Sequence, residues 1–580
     1  MMMANKLIDQ RCASLTALTF ILAISCILFL QKLGNPYITL WDEAIHVNVI
    51  KNLAEHCCLP QLHRSASIGM IEDVPTIADF EPSPHARKSA KIGTNYRDWK
   101  NNTLWLHKPL LPFYVTAGVY KLLGGSLWAL RLPGAIFALL TTVVVYLIAH
   151  DFLSDVVGLC GAAIFSLNPY TNQLVHGREF SGFPDLAFAF FVSIALYLIL
   201  DWRHGRATAT LRWLGLVLGL GYMCKGGLAL APFAVLAGIA ILTGGIRDLI
   251  PALQSIVVFG IVVLPERLYW LAHHPVEFRY EQQQQLLHLF RVIESHGGSW
   301  LSYFAGYLPS MLALPLVPFA YFSIGWALTR CRPGTPGYTL SIWTLAYLVP
   351  LSFGVSKIEN FIFAVLPPIA LLIPHVVESL IYSRRFRLLL SLCISSVAMF
   401  ILSRATRHSE QLNFLTFFAV IAVFVAALAM LFLVKFESKT MTTSALVLTS
   451  VALLSLYAHR DILAIRTEPA DTSAQLTLRQ TGSELQPLVD KNGLILAHNN
   501  TVEFAYLYLM YWSGVDVLDI CREPQPSKTL EHFREQNNIY LITNDWLPIV
   551  PLARLPIGNL YSVRGVPFEL WSSVASEACK

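Results

Sequence analysis

The sequence predicts a polytopic α-helical membrane protein, with about 13 transmembrane helices and a small C-terminal α/β domain, and three observations predict it. Of 580 residues 55% are hydrophobic and only 14% charged, against roughly 45–50% and about 25% in soluble domains. Apolar runs bounded by charge, Gly or Pro recur along the chain, and the last stretch abandons that pattern for short alternating segments. With a mean hydropathy of +0.54, these features exclude a soluble multidomain enzyme, a disordered chain and a collagen-like fibre.

The first run, residues 13–31, follows Lys6 and Arg11. It is long for a signal peptide and lacks a small-residue cleavage site, so it reads as a retained first span. Residues 32–109 form a first loop with amphipathic pieces such as DEAIHVNVIKNLAEH. There Glu72, Asp73, Asp79 and Glu81 precede the basic run Arg87, Lys88, Lys91, Arg97 and Lys100. Residues 110–125 are open to two readings, a short span or a helix lying in the interface. Further runs fall at 130–149, 156–170, 184–200, 212–224, 228–243, 249–271, 301–328, 339–355, 361–382, 387–403, 413–434 and 441–458. A span needs about 20 residues; the pair at 212–243 is short, and 301–328 is broken by Pro309, Pro315 and Pro318. Residues 460–580 alternate GLILAH, VDVLDI and NIYLIT with helix-like stretches around Tyr506 and Phe533, the pattern of a small α/β domain. The expected division is therefore a transmembrane domain, 1–459, and a C-terminal domain, 460–580.

Lys and Arg in short loops set the orientation. Lys6 with Arg11, Arg203 with Arg206, Arg247, Arg330 with Arg332, Arg384 with Arg385 and Arg387, and Lys435 with Lys439 fall on one side, although Arg404 and Arg407 do not. With the N-terminus cytoplasmic and an odd span count, the C-terminal domain is extracytoplasmic. The net charge of +5 belongs to this pattern and implies no nucleic-acid partner. The ten cysteines form no disulfide framework and no metal-like CxxC pair, and adjacent Cys57 and Cys58 are read as free thiols.

Charged residues beside apolar spans then gather on the outer face. A charge at mid-bilayer costs about 2.5–3.5 kcal/mol on insertion scales, so each needs a partner or a function. Asp42 and Glu43, in TLWDEAIH, suit either a helix N-cap or a carboxylate pair in which one member takes a proton from a nucleophile. Lys108, in WLHKPLLPFY, stands before a helix whose dipole it opposes, which fits a bound phosphate or a lysine snorkelling to headgroups. Asp185 follows Pro184 at the mouth of a span, with Arg178 seven residues earlier, and Lys225 and Lys357 sit in tight outer turns. His288 and His296 have no recognised metal-ligand spacing and read as satisfied polar side chains.

In the order and spacing of these motifs the chain resembles the polyprenyl-phosphate-dependent C-type glycosyltransferases, which include protein O-mannosyltransferases and bacterial aminoarabinose transferases of lipid A. The resemblance rests on Asp42 with Glu43, on the Lys108–Pro109 step before LLPFYVTAGVYKLLG, and on ALRLPGAIFALL, the Asp185 loop, KGGLALAP, VLPERLYW, and SKIENF before VLPPIALL. The C-terminal domain points to the aminoarabinose branch. The resemblance implies a polytopic enzyme of a bacterial inner membrane, with a periplasmic site, transferring a sugar with inversion from a polyprenyl-phosphate donor to a lipid A-like glycolipid. Protein acceptors, a lipid-linked sugar flippase and a noncatalytic glycolipid-binding protein are the alternatives. It assigns Asp42 as the essential carboxylate and Asp185 as the second acidic position. Substrate binding falls to Glu43, His107, Lys108, Arg178, Lys225 and Lys357. Ile45 stands where relatives often have Arg, His107 where they have Glu, Phe361 where they have Tyr, and a Gln near 285 where they have His. The family's metal-ligand positions are thus unmatched, and no cofactor is assigned, with a divalent metal left as the open alternative.

Overall fold

The computed structural model describes most of residues 2–63, 104–385 and 469–577. The expected spans at 387–403, 413–434 and 441–458, the basic run Arg87–Lys100, Phe533 and Arg178 lie outside the described residues. The chain divides into two compact units, one of residues 1–33, 131–268 and 298–466, the other of 34–130, 269–297 and 467–580.

The first unit is helical. Its elements are α1 (Met2–Leu30), α4 (Leu127–Phe152), α5 (Asp155–Ser166), α6 (Pro169–Val175), α7 (Gly182–Arg203), α8 (Thr210–Lys225), α9 (Ala231–Thr243), α10 (Leu249–His273), α12 (Val317–Arg330), α13 (Pro336–Phe353) and α14 (Leu366–Tyr382). Six helices among the described residues are long and apolar enough to cross a membrane, and three of the thirteen expected spans lie outside those residues. The runs at 212–224 and 228–243 make one apolar stretch, because the 3-10 turn Gly226–Leu230 joins α8 to α9. Gly226 ends α8 at φ +62°, a conformation that glycine takes without the Cβ penalty. The run at 301–328 is broken as its prolines predict: Leu312 turns extended at ψ 144°, and α12 resumes at Val317 with a proline in its first turn.

Two faces of α10 show how this unit meets lipid and packs. On α10, Leu253, Val257, Ile261, Leu264 and Leu268 are all exposed and share one helical face, the stripe a helix turns to lipid. Its other face meets α8 so closely that a Cβ on Gly215 would sit 2.1 Å from the Ser255 carbonyl, and one on Gly219 2.7 Å from Val262. Small residues at that four-residue spacing let helix backbones approach where lipid supplies no hydrophobic drive.

The second unit holds α2 (Asp42–His56), α3 (Leu111–Leu122), α11 (Pro275–Leu287), α15 (Pro469–Leu485), α16 (Ala505–Ser513) and α17 (Phe568–Glu577). With 12 residues, α3 is about 18 Å long, too short to cross a bilayer. The expected strands form as β1 (Leu494–Ala497), β2 (Asp516–Asp519) and β3 (Ile539–Thr543), joined by β4 (Ala553–Leu555) and β5 (Gly558–Ser562). Sheet order is β2-β1-β3-β5-β4, with β1 parallel to β2 and β3, and β5 antiparallel to β3 and β4. Leu494, Leu496, Leu541, Tyr561 and Trp571 build its core. The free-thiol expectation fails at Cys58, which is disulfide-bonded; its partner lies outside the described residues.

Candidate active site

Asp42 opens α2, where the helix dipole favours an acid, and it is buried. Lys108 sits in the turn before α3, and its Nζ donates to Asp42 Oδ2 at 2.5 Å. Each side chain keeps some exposure, 20% for Lys108 and 12% for Asp42, so the pair is formed but reachable. Glu43 follows, half-buried. His107 contacts the Glu281 carboxylate of α11 through Nδ1 at 3.1 Å, while the Gln285 amide donates to the His107 carbonyl at 2.8 Å. Behind them the Trp105 ring packs 5.7 Å from His46 and 4.9 Å from Phe113. His296, read from sequence as a bystander, stands within electrostatic reach of the ion pair. Burial lowers its pKa, the Asp42 charge opposes that, and the Lys108 charge adds to it.

A second constellation lies in the other unit. Asp185, fully buried in the first turn of α7, meets Nζ of Lys225, the last residue of α8, at 2.6 Å. Each charge suits its helix end. The Asn360 amide donates to the other Asp185 oxygen at 3.1 Å, and Phe361 lies under Lys225 with its ring centre 5.5 Å from Nζ. Phe361 therefore offers an aromatic face to the Lys225 cation. Lys357 is fully buried and donates to the carbonyls of Leu351 at 3.1 Å, Ser352 at 2.7 Å and Gly354, capping the end of α13. The Tyr303 ring lies 5.5 Å away, and that tyrosine's hydroxyl pairs with the Ile358 backbone.

Glu281, Asn360, His46 and Trp105 carry no local sequence signal; their one mark is a polar or aromatic group buried among apolar neighbours. No group of three or more His, Cys, Asp or Glu able to hold a metal occurs among the described residues. His107 and Glu281 make only two ligands, and the Gln285 amide is turned to a backbone carbonyl. Zinc takes three or four protein ligands, and among the described residues His107 and Glu281 do not complete such a set.

Residues 107–270 match the dolichyl-phosphate-mannose-protein mannosyltransferase family. Two undecaprenyl phosphate-alpha-4-amino-4-deoxy-L-arabinose arabinosyl transferases of Pseudomonas fluorescens are each 26% identical to the chain. One aligns over 297 residues, 49% of this chain and 52% of the relative; the other over 276 residues, 46% of each. The chain thus spans about half the length of the curated relatives it matches. The fold is shared with ArnT from Cupriavidus metallidurans. The structure bound to undecaprenyl phosphate gives a TM-score of 0.65 at 15% identity, covering 95% of this chain and 99% of that one. The apo structure gives 0.62 at 15%, covering 94% and 98%. In sequence and in fold the chain resembles the polyprenyl-phosphate-dependent C-type glycosyltransferases, on the aminoarabinose transferase branch.

Proposed function

We propose that the protein is an integral glycosyltransferase of a bacterial inner membrane, moving a sugar from a polyprenyl-phosphate donor to a lipid A-like glycolipid on the periplasmic face. The observation that carries the reading is the Asp42–Lys108 pair at 2.5 Å, half-sheltered at the facing starts of two helices. Lys108 opposes the dipole of α3, Asp42 offsets part of that charge, and the donor phosphate is a second anion that the lysine and the helix start would hold. In the reaction the acceptor oxygen bonds the anomeric carbon from the face opposite the phosphate. The carbon–oxygen bond to phosphate breaks, the polyprenyl phosphate leaves as an anion, and a hydroxyl acceptor's proton passes to Asp42. Lys108 holds the charge that develops on the leaving phosphate, so the donor itself supplies the driving force. Glu43 and His107 border the donor.

The disulfide at Cys58 supports an oxidising, extracytoplasmic setting for the loop after α2. The match of 107–270 to a mannosyltransferase family keeps a protein acceptor as the second reading. The test supplies labelled polyprenyl-phosphate sugars to solubilised membranes and follows label into lipid and protein fractions. Label in lipid that is lost with Asp42→Asn supports the proposal, and label in protein selects the second reading.

A further inference from the structure

The helix that carries Asp42 is anchored at its far end by the C-terminal α/β segment. Lys51 lies nine residues beyond Asp42, about 13 Å along α2. Its Nζ donates to the Tyr511 carbonyl at 2.7 Å and stands 5.3 Å from the centre of the Tyr511 ring. Tyr511 belongs to the last turn of α16, where outward carbonyls and the helix dipole both favour a cation. Gly514 closes that helix at φ +69°, with its N–H bonded to the Met510 carbonyl at 3.0 Å. A side chain there would be strained in the left-handed region.

A second anchor leaves α2 through the strap behind it. The Asn52 amide donates to the carbonyls of Gln61 at 3.1 Å and Leu62 at 2.8 Å, so the strap is tied to the helix. The next residue, His63, is fully buried, and its Nδ1 lies 4.0 Å from the Asp516 carboxylate at the start of β2. Neither ring nitrogen has a hydrogen-bond partner among the described residues. The strap also reaches the lysine side of the site. The Trp105 N–H donates to the Pro60 carbonyl at 2.6 Å, and Trp105 packs on His46 of α2 three residues before Lys108.

We propose that the C-terminal α/β segment positions the Asp42 carboxylate against Lys108, with Lys51 on Tyr511 and His63 against Asp516 as its two contacts on α2 and the strap. The fifteen residues of α2 form one uninterrupted helix, so a shift at the Lys51 contact is carried along its backbone toward Asp42. Lys51 and His63 are positioning residues, and their part in catalysis rests on the glycosyltransferase reading above.

The test compares wild type with Lys51→Met, which keeps the length of the side chain and removes its charge, and with Lys51→Arg, which restores the charge. Transfer rates and amide hydrogen exchange are both read in detergent. With Lys51→Met we expect kcat to fall about 10-fold or more while donor KM holds, since a misplacement near 1 Å costs up to about 100-fold. Exchange should quicken across residues 42–56, and Lys51→Arg should recover both readouts. Unchanged exchange across 42–56 in Lys51→Met overturns the proposal whether or not transfer is seen. So does wild-type kcat in that variant while the helix is loosened. An inactive wild type contradicts the glycosyltransferase reading alone, and the exchange arm then decides the anchor.

Discussion

Lys108 and Asp42 are 66 positions apart in sequence and share a hydrogen bond in the structure. Replacing Asp42 with Asn keeps the shape and removes the base, so transfer should fall about 100- to 10,000-fold, measured as initial rate of label incorporation. Lys108→Ala should cost about 100- to 1,000-fold by removing a donor aimed at the leaving phosphate. It should also weaken binding of polyprenyl phosphate, read by direct titration. The Asp185–Lys225 pair behaves differently because it is buried. Asp185→Asn removes the carboxylate that faces the largely buried Lys225 and should destabilise by about 3–5 kcal/mol, whereas adding Lys225→Met should return part of that in thermal unfolding. These four charges were legible in the sequence because an ionisable group beside an apolar run is costly. Glu281 and Asn360 were not, since their partners His107 and Asp185 lie 174 and 175 positions away and only the folded chain brings them together. His63 adds a pH signature. Burial holds its pKa below the ordinary 6.5 against the pull of Asp516, so the unfolded chain binds the proton more readily. Its contribution is intact above that ordinary value and is lost as pH falls through it, by at most about 1.4 kcal/mol per pH unit. His63→Gln should flatten the fall in melting temperature as pH drops below about 6.5.

At the scale of elements, apolar periodicity located most of the helices. It placed α4, α7, α10, α13 and α14 within a few residues of their observed bounds and the end of α1 likewise, although α1 begins at Met2, well before the expected 13, because uninterrupted apolar runs have few other stable forms in lipid. Breaks were legible where proline or glycine makes them, at 312–317 and at Gly226. Helix contact was not legible, because a glycine in an apolar run reads alike whether it faces lipid or a backbone. Gly215 and Gly219 face α10, while Gly227 and Gly238 have open space around them. Gly215→Val should therefore lower the yield of folded protein and its melting temperature far more than Gly238→Val, compared side by side in the same detergent.

Across the whole chain, the class was legible from composition alone: 14% charged residues at this length leave a polytopic membrane protein as the reading. The three consecutive alternating runs near the C-terminus announced β1, β2 and β3, although nothing in them announced the antiparallel pair β4 and β5 that completes the sheet. Nor does sequence order show that the first loop and the C-terminal segment share a compact unit, since more than 350 residues separate Cys58 from Pro469. In the proposed function the Asp42–Lys108 pair transfers a sugar from a polyprenyl phosphate to a lipid. A transfer assay with labelled polyprenyl-phosphate sugars, running wild type beside Asp42→Asn and Lys108→Ala, tests this. Label is expected in the lipid fraction with wild type and near background with either variant. Undiminished transfer in Asp42→Asn, or no transfer by a folded wild type that binds the donor tightly through Lys108, would contradict it.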